Sequence, residues 1–228
     1  MNTLKHIDNN FYGDMESHFL SLEVLEICRA PCLEELTTVN GREHFPLLSS
    51  VTIIHCPNLF KSLMMTSIVL TFIKIGDFHE LTDLLIELLP NQKHLDRLSI
   101  VSKSLKSLYD LPDNLSTLTY LNFQVFFQLE SLLGGLQNLS SLEISNLNYC
   151  DSLVSFLVLI SLPNEIQHLT LLLELNIWKC YNLTSLPQGI PSLTVLKTLK
   201  IEECPHLEKR YKKEIGEDWP NITYIPSI

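Results

Sequence analysis

The chain has 228 residues, of which 46% are hydrophobic, and its formal net charge at pH 7 is −10. The apolar content predicts a folded globular protein with a sizeable core, whereas the negative charge argues against a nucleic acid or a membrane surface as the main partner. The N-terminus shows no secretory signal pattern, and the longest nearly apolar run, residues 153–162, is too short to span a bilayer. We therefore expect a soluble protein of the cytoplasm, or of the nucleus and cytoplasm.

One apolar motif, L-x-x-L-x-I, recurs along the chain after the first 21 residues. In LKTLKIEECPHL (196–207) a cysteine and a further leucine follow it, and LSSVTIIHCPNL (48–59) and LLELNIWKCYNL (172–183) match this pattern. The first motif residues are Leu22, Leu48, Leu70, Leu95, Leu118, Leu139, Leu172 and Leu196. All but one of the intervals between them fall in the range of roughly 20 to 29 residues that is typical of leucine-rich repeats.

The spacing within each motif predicts a β-strand. Its last two apolar residues are two apart and point to the same face of a strand, and stacked copies bury that face in one continuous core. The second motif position holds Leu25, Val51, Ile73, Leu98, Leu121, Leu142, Leu175 and Leu199, and the third holds Ile27, Ile53, Ile75, Ile100, Phe123, Ile144, Ile177 and Ile201. The predicted fold is an α/β-type repeat, a leucine-rich-repeat solenoid (horseshoe) with a parallel inner β-sheet and an irregular outer face.

Three regions are expected along the chain. Residues 1–21 look like the end of a preceding, truncated repeat and form the N-terminal edge; residues 22–207 hold about eight leucine-rich repeats; and residues 208–228 form a C-terminal cap. The one long interval contains an apolar insert, FLVLI, at residues 156–160. A longer outer arc is favoured over the alternative of an exposed docking patch, because large exposed apolar patches are uncommon.

The residues between the apolar anchors are expected on the concave face, which repeat proteins commonly use for binding. Phe72, Tyr120 and Trp178 stand out, because aromatic residues and arginine are typical anchors of protein interfaces. The alternative is that these side chains only cover the stems of their neighbours. The candidate partner-binding residues are Phe72, Lys74, Arg97, Tyr120, Asn122, Glu143, Glu174, Asn176, Trp178, Lys200 and Glu202.

The sequence contains no catalytic, metal-binding or cofactor-binding pattern. The His55–Cys56 pair does not supply four convergent zinc ligands, because the repeat turns the cysteine inward while its neighbour points elsewhere. The eight histidines have no motif that pairs one of them with a nucleophile. Adjacent carboxylates such as Glu202 and Glu203 diverge, unlike a general acid/base pair. We therefore expect neither an enzyme nor a cofactor, and a structural role for Cys56, Cys180 and Cys204.

Several segments resemble plant intracellular immune receptors of the nucleotide-binding leucine-rich-repeat class, particularly those with a coiled-coil domain. They are CPNL, LTSLPQGI, SLPNEI, LKIEECPHLEKR and, most specifically, GEDWPNITYIPSI at residues 216–228. The resemblance covers nearly the whole chain but only the final part of such a receptor. It implies a repeat array that senses pathogen effectors or guarded host proteins and restrains a nucleotide-binding switch, whose release triggers the defence response.

The chain departs from that class because it contains no G-x-x-x-x-G-K-[ST] phosphate loop. The resemblance therefore implies the recognition module without the switch, with the nucleotide-binding domain of the parent receptor as one partner. The alternative is an extracellular or stand-alone leucine-rich-repeat scaffold that binds another protein. Sequons at Asn114, Asn138, Asn182 and Asn221 favour an extracellular protein, whereas the missing signal and the use of S-L-P in place of G-x-I-P oppose it.

Overall fold

Eight parallel strands of five residues each form the main sheet of the protein. The computed structural model describes residues 3–7, 19–36, 45–59, 69–77, 81–103, 105, 112, 114–127, 136, 138–150 and 165–228. The strands are β1 (His6–Ile7), β2 (Val24–Cys28), β3 (Glu35–Leu36), β4 (Ser50–Ile54), β5 (Phe72–Gly76), β6 (Arg97–Val101), β7 (Tyr120–Gln124), β8 (Ile144–Asn148), β9 (Glu174–Trp178) and β10 (Thr198–Glu202). β2 and β4 to β10 follow one another through the main sheet in chain order, and β1 pairs with β3 separately.

The apolar motif builds the core side of this sheet. Leu25, Val51, Ile73, Leu98 and Leu121 are direct partners on successive strands, and the last four are fully buried. Because side chains alternate along a strand, every second residue faces the core and its neighbours face away from it. Stacked coils with a parallel sheet and little helix confirm the leucine-rich-repeat solenoid predicted from the motif.

The sixth repeat has a different register from the predicted one. The sequence predicts Leu142 and Ile144 in the two buried columns, but β8 places Ser145 between Leu121 and Leu175. That prediction was wrong by three residues. A serine with 9% of its surface exposed therefore interrupts the apolar column.

The spacing of leucines explains the error. Leu139 and Leu142 are three residues apart, so the beginning of the motif fits the sequence in two registers. Cys150 marks the register that the structure adopts, because it lies three residues after Leu147 as Cys180 lies three after the buried isoleucine of β9. With Leu142 as the first motif residue, the interval to the next repeat is 30 residues. The insert at 156–160 lies outside the described residues.

The outer face is irregular and differs from coil to coil. It carries the helix α1 (Leu81–Leu88) and short 3₁₀ turns at Leu89–Asn91, Glu165–His168 and Ile190–Ser192. α1 buries Leu81, Leu85 and Leu88, whose spacing places them on one face of a helix. The helix therefore packs one apolar stripe on the core.

The C-terminal segment covers the last strand of the sheet. After β10 come the helix α2 (Pro205–Arg210) and a 3₁₀ turn at Trp219–Asn221. Further along, the backbone N–H of Leu199 donates to the carbonyl of Ser227 at 2.9 Å, and the N–H of Ser227 donates to the carbonyl of Lys197 at 3.0 Å. Ile222 and Ile225 are buried against the last coil, so the chain end satisfies both the edge hydrogen bonds and the apolar surface of β10.

The first strand of the main sheet is less covered. Among the described residues β2 pairs with β4 alone, and Val24 is 50% exposed. β1 belongs to an outer arc, since the backbone N–H groups of Glu34 and Glu35 donate to the carbonyl of Lys5. The outer arc that contains β3 therefore stacks on the arc that contains β1.

Candidate recognition surface on the concave face

The face of the main sheet that points away from the core is the concave face of a leucine-rich-repeat solenoid. Each strand presents its first, third and fifth residues there. The structure places ten of the eleven candidate residues in such positions: Phe72, Lys74, Arg97, Tyr120, Asn122, Glu174, Asn176, Trp178, Lys200 and Glu202. Their position on one surface is thus established, and their part in binding stays a prediction.

Glu143 does not lie on the concave face, because the register of its repeat is shifted. It precedes β8, and its carbonyl accepts hydrogen bonds from the backbone N–H groups of Leu173 and Glu174 at 2.8 and 2.9 Å. The residues that β8 presents instead are Ile144, Asn146 and Asn148. Sequence reasoning missed these three, although the position of Cys150 carries the signal that would have found them.

Three side chains on β5, β6 and β7 form what we call the central stack: Phe72, Arg97 and Tyr120. They are direct partners in the register of the sheet. The guanidinium carbon of Arg97 lies 4.5 Å from the ring centroid of Tyr120 and 5.9 Å from that of Phe72. Both distances are within the range of cation–π attraction, so two rings hold an exposed cation in place.

Amide side chains form a ladder along the middle of the concave face. Nδ2 of Asn122 donates to Oγ of Ser99 at 3.0 Å, and Nδ2 of Asn148 donates to Oδ1 of Asn122 at 2.9 Å. One step further, Nδ2 of Asn176 donates to Oδ1 of Asn146 at 2.8 Å. Asn122 therefore links both of its neighbouring strands, whereas Asn176 uses its Nδ2 alone and its buried Oδ1 has no hydrogen-bond partner among the described residues.

A second group of side chains, the C-terminal cluster, consists of Tyr149, Trp178, Lys179 and Glu203. The Tyr149 and Trp178 rings meet edge to face at 4.8 Å, and Nζ of Lys179 lies 4.4 Å from the Trp178 centroid. Glu203 closes the group, because it accepts a hydrogen bond from Nε1 of Trp178 at 3.1 Å and lies 3.6 Å from Nζ of Lys179. Desolvation alone would lower the pKa of Lys179, but Tyr149 and Glu203 outweigh it and raise that pKa.

The backbone just after the strands orients this cluster. The residue following the strand has a left-handed conformation in most coils, as in Val125 (φ 64°), Tyr149 (φ 56°) and Lys179 (φ 53°). Its N–H donates to the last residue of the next strand, for example from Tyr149 to Trp178 at 2.9 Å and from Lys179 to Glu202 at 3.0 Å. Each such residue costs on the order of 1 kcal/mol, which the repeating hydrogen bonds offset.

Buried cysteines form a column beneath the turns at the strand ends. Cys56, Cys150, Cys180 and Cys204 are all fully buried, and the thiol of Cys180 donates to the carbonyl of Leu147 at 3.7 Å. The hydrogen bond with Cys150, together with burial, raises the pKa of Cys180 to about 12. A hydrogen bond with Cys180 and burial likewise raise the pKa of Cys204. Such thiols stay protonated at neutral pH and make poor nucleophiles or metal ligands.

The described part of the chain offers little else of chemical interest. It contains no group of three or more histidine, cysteine, aspartate or glutamate side chains placed to hold a metal ion. None of its helices has the length and apolar character needed to cross a membrane. A cavity of about 370 Å³ is lined by residues from 185–191 and from the C-terminal segment, including the paired side chains of Arg210 and Asp218.

Comparison with known proteins supports the fold. No protein-family profile matches the chain, and no curated protein is significantly similar to it. The leucine-rich-repeat domain of the type III effector XopL is a structural neighbour, with a TM-score of 0.56 and 20% sequence identity over 87% of this chain and 73% of that domain. An internalin from Listeria monocytogenes overlaps 91% of this chain and 80% of its own, with a TM-score of only 0.38 and 15% identity. The XopL likeness, at this low identity, concerns architecture alone: in fold, the chain is a leucine-rich-repeat domain.

Proposed function

We propose that this chain is the protein-recognition module of an intracellular plant immune receptor. In this role it binds a pathogen effector or a guarded host protein and restrains the nucleotide-binding switch of the parent receptor. It acts without a cofactor and without catalysis. The concave face carries the proposal, because it presents interface-type side chains on a continuous sheet: the aromatic and arginine residues of the central stack, and Trp178.

The terminal segments of the sequence support the plant receptor over other leucine-rich-repeat proteins. GEDWPNITYIPSI and LKIEECPHLEKR are the most specific parts of the resemblance. In the structure these segments form β10, α2 and the covering strand segment at Ser227. A segment that both matches a receptor class and closes the fold is a stronger indication than the repeat motif, which many families share.

Two observations favour an intracellular location over the extracellular alternative. All six cysteines are free thiols, as is usual in the reducing cytosol. Nδ2 of Asn114, the atom that would carry a glycan at that sequon, donates to the carbonyl of Leu89 at 3.1 Å. A glycan there would disrupt this contact between repeats.

Transient expression in leaf tissue tests the proposal. The chain is co-expressed with the coiled-coil and nucleotide-binding domains of a receptor that lacks its own repeats and causes cell death. We expect the chain to co-purify with these domains and to delay cell death. The leucine-rich-repeat domain of XopL serves as a control with the same fold. If neither effect appears, or if the control delays death equally, the proposed role in restraining a switch is wrong.

A further inference from the structure

The central stack fixes the orientation of a cation without neutralising it. The guanidinium group of Arg97 lies over the rings of Tyr120 and Phe72, and the residue as a whole is exposed. A guanidinium can contact aromatic faces and still present its edge, a fork of N–H donors, to a partner. Such an edge matches the two oxygens of a carboxylate in a bidentate pair.

The concave positions around Arg97 carry positive charge and no negative charge. β5, β6 and β7 present Lys74 and Arg97 there, and no aspartate or glutamate. In the adjoining turns, Asp77 lies 2.5 Å from His55 and Asp96 accepts a hydrogen bond from the hydroxyl of Thr119, so both carboxylates already have a partner other than Arg97. In a chain with a net charge of −10, this pair of cations is a local exception.

The two cations have the spacing of a β-strand. Lys74 lies two residues beyond the direct partner of Arg97 on the neighbouring parallel strand, a diagonal position at roughly 8 Å from the strand spacing and the rise of two residues. Alternate residues of an extended chain point the same way and are about 6.6–6.8 Å apart. Two carboxylates on such residues therefore reach both cations at once.

We infer that the concave face binds an extended segment of a partner protein with acidic side chains at positions i and i+2, held by Arg97 and Lys74. This inference rests on the proposed use of the concave face for protein recognition and names the chemistry of the segment. The carboxylate at Arg97 forms a bidentate pair between the rings of Phe72 and Tyr120. The carboxylate at Lys74 binds a single, more mobile ammonium group, so Arg97 contributes the larger share of affinity.

Selection from a random nonapeptide phage library on the intact chain tests this inference. We expect the selected sequences to be enriched in pairs of Asp or Glu at i and i+2. Synthetic versions, blocked at both ends, should bind Arg97→Ala at least tenfold more weakly than the wild type and Lys74→Ala about threefold more weakly, by fluorescence anisotropy. Because Lys93 is exposed outside the strands, Lys93→Ala is the matched control and should bind as the wild type does.

The remaining outcomes separate this inference from the proposed function. Peptides that bind only with a free C-terminal carboxylate, or without an acidic pair, overturn the inference. Peptides whose affinity depends on Trp178 but not on Arg97 also overturn it, while recognition on the concave face stands. If no peptide is selected, or if none responds to a substitution on this face, both the inference and concave-face recognition fail. Circular dichroism melting of Arg97→Ala, a change at an exposed position, confirms that the variant is folded.

Discussion

The central stack and the C-terminal cluster contain the same kinds of side chain, but only the cluster pairs its cation with a carboxylate. Both place a cation over two aromatic rings, Arg97 over Phe72 and Tyr120 in one region and Lys179 over Tyr149 and Trp178 in the other. The C-terminal cluster adds Glu203, which pairs with the cation and accepts the indole N–H. The central stack has no such carboxylate among the described residues.

This difference predicts that the C-terminal cluster contributes to stability and that the central stack contributes to recognition. A cation that already pairs with a carboxylate and packs on aromatic rings links neighbouring coils and gains little from a partner's carboxylate. A cation held in place by rings alone contributes less to stability and keeps its hydrogen-bonding edge for a ligand. We therefore expect substitutions in the C-terminal cluster to affect unfolding, and those in the central stack to affect binding.

The largest effect is expected where the backbone beside the central stack is most closely packed. A methyl group on Gly76 would lie 2.5 Å from Cβ of Val101 and even closer to its carbonyl oxygen. Gly76→Ala therefore pushes β5 away from β6, which should lower the free energy of unfolding by about 1–3 kcal/mol and separate Phe72 from Arg97. Urea denaturation measures the first effect, and affinity for a peptide selected on the wild type measures the second.

Gln124→Ala is the matched control for this change. Gln124 occupies the corresponding fifth position of β7 and is only half-buried. We expect its substitution to alter stability by less than about 0.5 kcal/mol. Wild-type stability and affinity in Gly76→Ala would mean that β5 and β6 are not as close at this point as the structure has them.

The next effect distinguishes the two regions directly. Trp178→Ala removes the ring that contacts Tyr149, Lys179 and Glu203, and should lower the free energy of unfolding by about 1–2 kcal/mol. Arg97→Ala loses only the contact with its two rings, for which we expect about 0.5 kcal/mol. Urea denaturation of the full chain measures both losses. Equal losses in the two variants would remove the distinction between a closed cluster and an open stack.

The sequence predicts the architecture well because the repeat is a local, redundant signal. Eight copies of one spacing agree on strands, on a buried face and on parallel stacking, and an error in one copy leaves the others unaffected. The sixth repeat shows the limit of this redundancy, since leucines three residues apart fit two registers and Glu143 was assigned to the wrong surface. Long-range contacts, such as the cover that Ser227 provides for Leu199, depend on the path of the chain between repeats.

The sequence predicts which residues lie on the concave face, but not which contacts their side chains make there. Alternation alone places Arg97 and Trp178 on that face, because a strand has a period of two. Which of them is neutralised depends on Glu203, a residue after a strand end whose side chain reaches back over the previous coil. The inward positions of Cys56, Cys180 and Cys204 were recognisable from their shared slot, whereas Cys150 was missed with the register of its repeat. The hydrogen bonds between these cysteines depend on the stacking distance between coils.

A smaller difference between the regions concerns alkaline pH. Cys150, Cys180 and Cys204 lie beneath the C-terminal cluster, and the pKa of Cys180 is raised from 9.0 to about 12. Cys180 therefore deprotonates at a lower pH in the unfolded chain than in the folded one. Its contribution to the free energy of unfolding is fully present below about pH 9 and decreases as the pH rises toward 12. We expect the free energy of unfolding to decrease by about 1 kcal/mol between pH 8 and pH 10. Urea denaturation at each pH measures this decrease.

Two measurements connect this pH dependence to the thiols. Cys180→Ala should flatten the decrease, because one of the titrating groups is gone. Hydrogen exchange should show earlier opening of β8, β9 and β10 than of β5, β6 and β7 at pH 10. Equal stability at pH 8 and pH 10 would contradict the protonated, hydrogen-bonded state of the column.

The smallest effect concerns the left-handed turn that follows a strand in each of the two regions. Val125 and Lys179 both have left-handed backbone, at φ 64° and φ 53°, but a β-branched side chain tolerates this conformation least. Val125→Asn should raise the free energy of unfolding by about 0.5 kcal/mol, because asparagine adopts the left-handed region more easily. Gln124→Asn, one residue earlier in extended backbone, should instead be neutral or slightly destabilising. If thermal melting shows the same change for both variants, the turn after β7 is not strained, and the difference between the two regions resides in their side chains alone.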